Sequence, residues 1–61
     1  MTAADFRQWR ALMGLNRTKA AEALEIGRNQ PRKYEEGIAD IPAHIAFACA
    51  ALARGIKPWP G

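Results

Sequence analysis

Sixty-one residues make one domain, and so short a chain buries only about 60% of the surface it exposes when unfolded, so its core needs a disulfide, a metal or oligomerisation beside it. Cys49 is the only cysteine and His44 the only histidine, which excludes an intrachain disulfide and a cysteine-based zinc site and leaves oligomerisation. Nine Lys and Arg against six Asp and Glu give a net charge of +3, and the stretch around Asp5 and Arg7 has no apolar run suited to a signal peptide or membrane span, so a cytoplasmic location is expected.

Thr2 and Asp5 form a start resembling a capping box, and the first predicted helix runs from about Ala3 to Met13 with Phe6, Trp9, Leu12 and Met13 as its apolar stripe. That face is expected in the core. Trp9 goes with it, because an aromatic on a helical stripe packs far more often than it stacks on a base. Arg7 and Arg10 flank the stripe. Asn16 is a good N-cap for a second helix from about Arg17 to Glu25, whose Ala20, Ala21 and Leu24 share one face and are small enough to allow close approach. The pattern breaks at Ile26-Gly27.

A third helix runs from about Gln30 to Glu36, with Pro31 in its first turn, where a missing N–H and a fixed φ do no harm. Asn29 or Gln30 is its cap, and residues 27–30 form a looser lead-in with outward side chains. Tyr34 is expected to turn inward with its hydroxyl near the surface, and Gly37 to cap the C-terminus. Between Asn16 and Lys33 stand Arg17, Lys19, Arg28, Arg32 and Lys33 against only Glu22 and Glu25, so the basic excess sits on this pair of helices. Taken alone, such a charge run reads as a solvated helix face.

Residues 38–42 form a loop, because Pro42 biases Ile41 away from helical geometry and itself suits a first turn. The fourth predicted helix, from about Pro42 to Arg54, is apolar nearly all round: Ile45, Ala48, Cys49 and Leu52 fall on one side, Ala43, Phe47, Ala50 and Ala51 on the other. One short chain cannot cover both sides. A second copy can, and Phe47, Ala50, Ala51 and Trp59 are the expected dimer interface. Gly55 ends the helix, and the tail 56–61 is extended, with Trp59 either folding back on its own core or reaching the partner. His44 and Cys49, five residues apart, do not share a helical face and are read as a rim residue and a small buried one. No paired carboxylates, glycine-rich phosphate loop or nucleophile with a base are present, so no enzymatic activity, cofactor, metal or small-molecule ligand is expected.

The unit 15–37 resembles the helix-turn-helix of the lambda-repressor-like (Cro-type, XRE) family, through Gly14-Leu15, the cap at Asn16, the small Ala21 where the helices cross, Leu24, Ile26, and Glu35 followed by Gly37. The resemblance spans about Phe6 to Pro42. It implies an all-α fold of four short helices with a central helix-turn-helix and a short C-terminal tail, residues 42–61 serving dimerisation. It further implies a homodimeric, sequence-specific binder of double-stranded DNA, most simply a repressor occupying a palindromic operator. Carried over residue by residue, Arg28, Asn29, Arg32 and Lys33 would read bases, Asn16, Arg17, Lys19 and Gln30 would hold the DNA backbone, and Arg10 would pair with Glu35.

Two positions depart from the family. Glu25 stands where it usually has a glycine at positive φ, so either the turn distorts or Glu25 is strained; Pro31 stands where it has a branched apolar residue inside the third helix. In size and in its Pro-Trp-Pro tail the chain also looks like small phage regulators and the autorepressors of anti-CRISPR operons. The competing readings are an antitoxin and a protein-interaction module, each using the apolar fourth helix to hold a protein partner.

Overall fold

The computed structural model of the chain describes residues 1–60; Gly61, the last residue of the expected tail, lies outside the described residues. Four helices follow one another, α1 (Ala3–Leu12), α2 (Arg17–Leu24), α3 (Gln30–Glu35) and α4 (Ala43–Ala53), with no strand among the described residues. Each is a residue or two shorter than the apolar periodicity predicts, because the residues beyond its ends act as caps.

Helix α1 starts on a complete capping box: the Thr2 hydroxyl accepts from the Asp5 amide at 3.0 Å and the Asp5 carboxylate accepts from the Thr2 amide at 2.9 Å. These hydrogen bonds hold the exposed Asp5 carboxyl below its ordinary pKa. Phe6 and Trp9 are buried and Met13 packs half-buried against them. Leu12, expected on the same face, is instead 79% exposed. At about 100° per residue it lies roughly 120° from Phe6, whereas Arg10 lies only about 40° away on the other side. The buried sector of α1 is therefore rotated toward Arg10.

Phe6 anchors the core. Its ring meets Trp9 at a centroid distance of 5.4 Å and the edge of Tyr34 at 5.5 Å, tilted geometries that suit aromatic quadrupoles. Ala20 and Leu24 of α2 and Ile45 and Cys49 of α4 close around these rings, with Leu15, Ile26, Ile41 and Leu52 at the margin. Trp9 also ties α1 to α4 through a polar contact, its indole N–H donating to the Cys49 carbonyl at 2.9 Å. Tyr34 turns inward as expected, and Pro31 is fully buried.

The helices end alike. After α1, Leu15 N–H reaches the Arg10 carbonyl and Gly14 N–H the Ala11 carbonyl, both at 3.0 Å, which is the Schellman pairing around a left-handed residue. The same two-bond pattern closes α3 around Gly37 and α4 around Gly55, and it closes α2 around Glu25. Glu25 sits at φ 55°, ψ 44°, the only non-glycine at positive φ among the described residues. The turn keeps its form and the residue carries the strain, about 1 kcal/mol for a side chain with a β-carbon.

Gly27 differs from Gly14: neither has an atom within 4 Å of where a β-carbon would stand, but only Gly14 has positive φ, at 67°. Gly14→Ala should thus destabilise the fold by about 1 kcal/mol, lowering the melting temperature by ~4–8 °C. Gly27→Ala should leave it unchanged or raise it by stiffening the unfolded chain. Thermal unfolding followed by circular dichroism separates the two, and equal losses would show that crowding, not φ, governs both sites.

Candidate nucleic-acid interface

Helix α3 has a closed inner face and an open outer one. Pro31, Tyr34 and Glu35 point inward and are buried; Arg32 is exposed and Lys33 half-buried on the far side. Pro31 begins the helix at a position that needs no intrahelical N–H. Ahead of it Arg28 and Asn29 form an exposed turn, closed by the Gln30 amide donating to the Gly27 carbonyl at 3.0 Å. This is the looser lead-in expected from the sequence. Asn29 occupies the N-cap position, but its side chain makes no capping hydrogen bond and stays in solvent; Gln30 is half-buried.

The inner face is pinned by Glu35, only 2% exposed. Arg10 holds its carboxylate with a two-pronged grip, Nε to Oε2 at 2.8 Å and Nη2 to Oε1 at 2.9 Å, and with Nη1 reaches the Leu15 carbonyl at 3.1 Å. Arg7 donates to the Glu35 carbonyl at 2.7 Å, and the Arg17 guanidinium stands 3.5 Å from Oε1. Burial pushes the Glu35 carboxyl up, but the hydrogen bonds and charge of Arg10, with the charge of Arg17 behind them, outweigh it and leave the carboxyl below its ordinary value. The same pairing raises the Arg10 guanidinium further. The expected Arg10–Glu35 pair is thus present. The sequence marks Arg7 only as flanking the stripe, although its position three residues before Arg10 already puts both guanidinium groups on one flank of α1.

The other residues expected to meet DNA fall into two groups. Asn16 caps α2, its side-chain oxygen accepting from the Lys19 amide at 2.8 Å, while Arg17, Thr18 and Lys19 are exposed at the positive end of that helix. Lys19 lies 3.5 Å from Glu22 and Arg32 lies 3.2 Å from Glu36, both solvent-exposed pairs of the kind whose net contribution is ~0–1 kcal/mol. Either cation can exchange its carboxylate for a phosphate at little cost. Arg28 and Lys33 have no acidic group within 4 Å among the described residues. Arg17 is the exception in its group, since it already leans on Glu35 with its side chain 45% exposed.

Elsewhere the chemistry is sparse. His44 is exposed and Cys49 buried, as the sequence suggests, and burial pushes the Cys49 thiol up to about 11, so it stays protonated at neutral pH. No group of three or more His, Cys, Asp or Glu side chains is placed to hold a metal ion among the described residues. No helix among them is long and apolar enough to cross a membrane. In comparisons with protein-family models, curated proteins and solved structures, nothing matches this chain.

Glu35 dominates the expected acid response. A carboxyl with a lower pKa folded than unfolded binds fewer protons in the folded state, so its contribution is complete above its unfolded value of about 4.3 and is lost as pH falls through the folded one. Melting temperature should fall as pH drops below about 5. Glu35→Gln should cost ~2–3 kcal/mol at pH 7, less than the ~3–5 of a fully buried pair because the Arg10 side chain is 24% exposed, and should flatten that acid limb. Calorimetry of both proteins between pH 3 and 7 checks this; parallel pH profiles would move the acid response to other carboxylates.

Proposed function

We propose that the chain is a homodimeric, sequence-specific DNA-binding regulator, in which α2, the turn at Glu25 and α3 act as a helix-turn-helix of the lambda-repressor-like kind. The observation that carries this reading is the two-sidedness of α3: an inner face fixed by Glu35, and an outer face and leading turn that present Arg28, Asn29 and Lys33 to solvent with no acidic partner for either cation. Arg and Lys match the O6 and N7 acceptors of guanine in the major groove, and Asn the N6 and N7 of adenine. Arg28, Asn29, Arg32 and Lys33 are assigned base contacts. Asn16, Arg17, Lys19 and Gln30 are assigned phosphate contacts, supported by the positive end of α2 beneath the first three.

Dimerisation is supported by α4. Ile45 and Cys49 are buried on its inner side while Phe47, 75% exposed, stands on the outer side with Ala50. A two-fold pair through this face would set two α3 helices about one DNA turn apart, roughly 34 Å, so the operator would be an inverted repeat. Repression by occupying that operator, in the cytoplasm, is the simplest regulatory mode. The same exposed Phe47 also supports the second reading, an antitoxin or interaction module whose α4 holds a different protein.

Selection of bound fragments from random DNA tests the proposal and should return an inverted repeat with half-site centres about 10 base pairs apart. Arg28→Ala or Asn29→Ala should then relax preference at one base pair per half-site, by ~1–3 kcal/mol. Lys19→Ala should weaken all sequences equally and lower the salt slope by about one unit for each phosphate left without its cation. Recovery of no consensus, together with an equimolar protein partner on purification, would favour the second reading.

A further inference from the structure

Beside α4 lies a groove of about 220 Å³ with mostly apolar walls and with Glu25 and Lys57 as its charged members, formed by the α2 end, by α4 with Ala51 and Leu52, and by the start of the tail with Ile56 and Pro58. The next residue, Trp59, is 92% exposed. It does not occupy the groove that Pro58 borders: Pro58 and Pro60 fix their own φ, and each biases the residue before it, Lys57 and Trp59, toward extended geometry. The Trp59 indole therefore stands in solvent beside the groove.

We propose that the occupant of this groove is Trp59 of a second copy of the chain, exchanged reciprocally so that each copy gives its tail and receives its partner's. This rests on the homodimer proposed above and specifies how it closes. Three observations support it. Ala51 lies about 40° from Phe47 around α4 and also lines the groove, so the apolar outer face runs without a break into it. Aromatic side chains bury about 150–250 Å² each, so Phe47 and Trp59 alone would contribute about 300–500 Å² toward the ~800 Å² per partner of a stable interface, and the groove that receives the partner's indole adds to it.

The third observation is Glu25. It is strained in the left-handed region where glycine would be free, it lines the groove, and its carboxylate has no hydrogen bond or ion pair among the described residues. A buried indole N–H needs an acceptor, and Glu25 supplies one at the groove rim. The strain at this turn is explained by what the side chain does across the interface.

The test combines sedimentation equilibrium of the full chain across micromolar concentrations with acrylamide quenching of tryptophan emission, the Trp59 signal being wild type minus Trp59→Ala. Trp59 should be open to quencher in the dilute monomer and become shielded in step with dimer formation. Trp59→Ala should fold normally and weaken dimerisation about a hundredfold or more, since each dimer then lacks two indoles. Glu25→Gly should raise the melting temperature of the dilute monomer yet weaken the dimer by at least about tenfold, a pairing of opposite effects that a purely structural turn residue does not give.

A dimer in which Trp59 stays open to quencher overturns the exchange, as does one unchanged by both substitutions. So does a dilute monomer in which Trp59 is already shielded. Binding of inverted-repeat DNA alongside any of these leaves the functional reading standing. Shielded exchange without sequence-specific DNA binding does the reverse, and a chain that stays monomeric at every concentration removes both.

Discussion

A single buried carboxylate joins three helices. Glu35 of α3 takes Arg10 of α1 on both oxygens and Arg17 of α2 on one, while its backbone carbonyl takes Arg7. Apolar packing is non-directional, and α2 offers mainly Ala20, Ala21 and Leu24 to its neighbours, which would tolerate some sliding and rotation. A buried charge tolerates much less, because moving α3 by an ångström would leave an anion out of water without its donors. In a chain whose whole stability is about 3–9 kcal/mol, that constraint acts beside the packing of Tyr34 on Phe6 to fix the pose of α3. The outer face of α3 is held in place from behind.

The molecule divides by polarity as a result. Cationic and amide groups gather on the turn before α3, on its outer face and on the start of α2. Helix α4 and the tail present a surface richer in alanine, proline and aromatic groups, with His44, Arg54 and Lys57 as their exposed polar members. The two regions share one scaffold. Trp9 stands between them, packing against Phe6 and donating to the α4 backbone.

Much of this is legible in the residues alone, and the misses have physical causes. Four helices, their caps at Thr2 and Asn16 and the inward Tyr34 follow from spacing and capping chemistry. So does the split of α4 into Ile45 and Cys49 on one side and Phe47 on the other. The Arg10–Glu35 pair is reached only through resemblance, since no local rule joins residues 25 apart in sequence. Apolar spacing misplaces Leu12 because it does not see that Arg10 belongs to the inner sector. The burial of Pro31 escapes a reading that weighs proline for its backbone and not for the apolar surface of its ring. At Glu25 sequence cannot choose between a distorted turn and a strained residue; both Schellman bonds close, and the residue takes the strain. The residues proposed to read and clamp DNA are exposed, with Lys33 and Gln30 half-buried.

The bond from the Trp9 indole to the Cys49 carbonyl also sets an order of events when the chain is made. Its ends are 40 residues apart, so at ~5–20 residues per second the ribosome takes about 2–8 s to deliver Cys49 after Trp9. Glu35 itself precedes Cys49 by only 14 residues, about 0.7–2.8 s at that rate, yet helices and short loops form in microseconds or less, so α1, α2 and α3 can gather around it first. Throughout that interval one flank of the nascent core, with Trp9 at its centre, is uncovered. Helix α4 closes it last, and its six alanines, the strongest helix formers, favour its arriving already coiled.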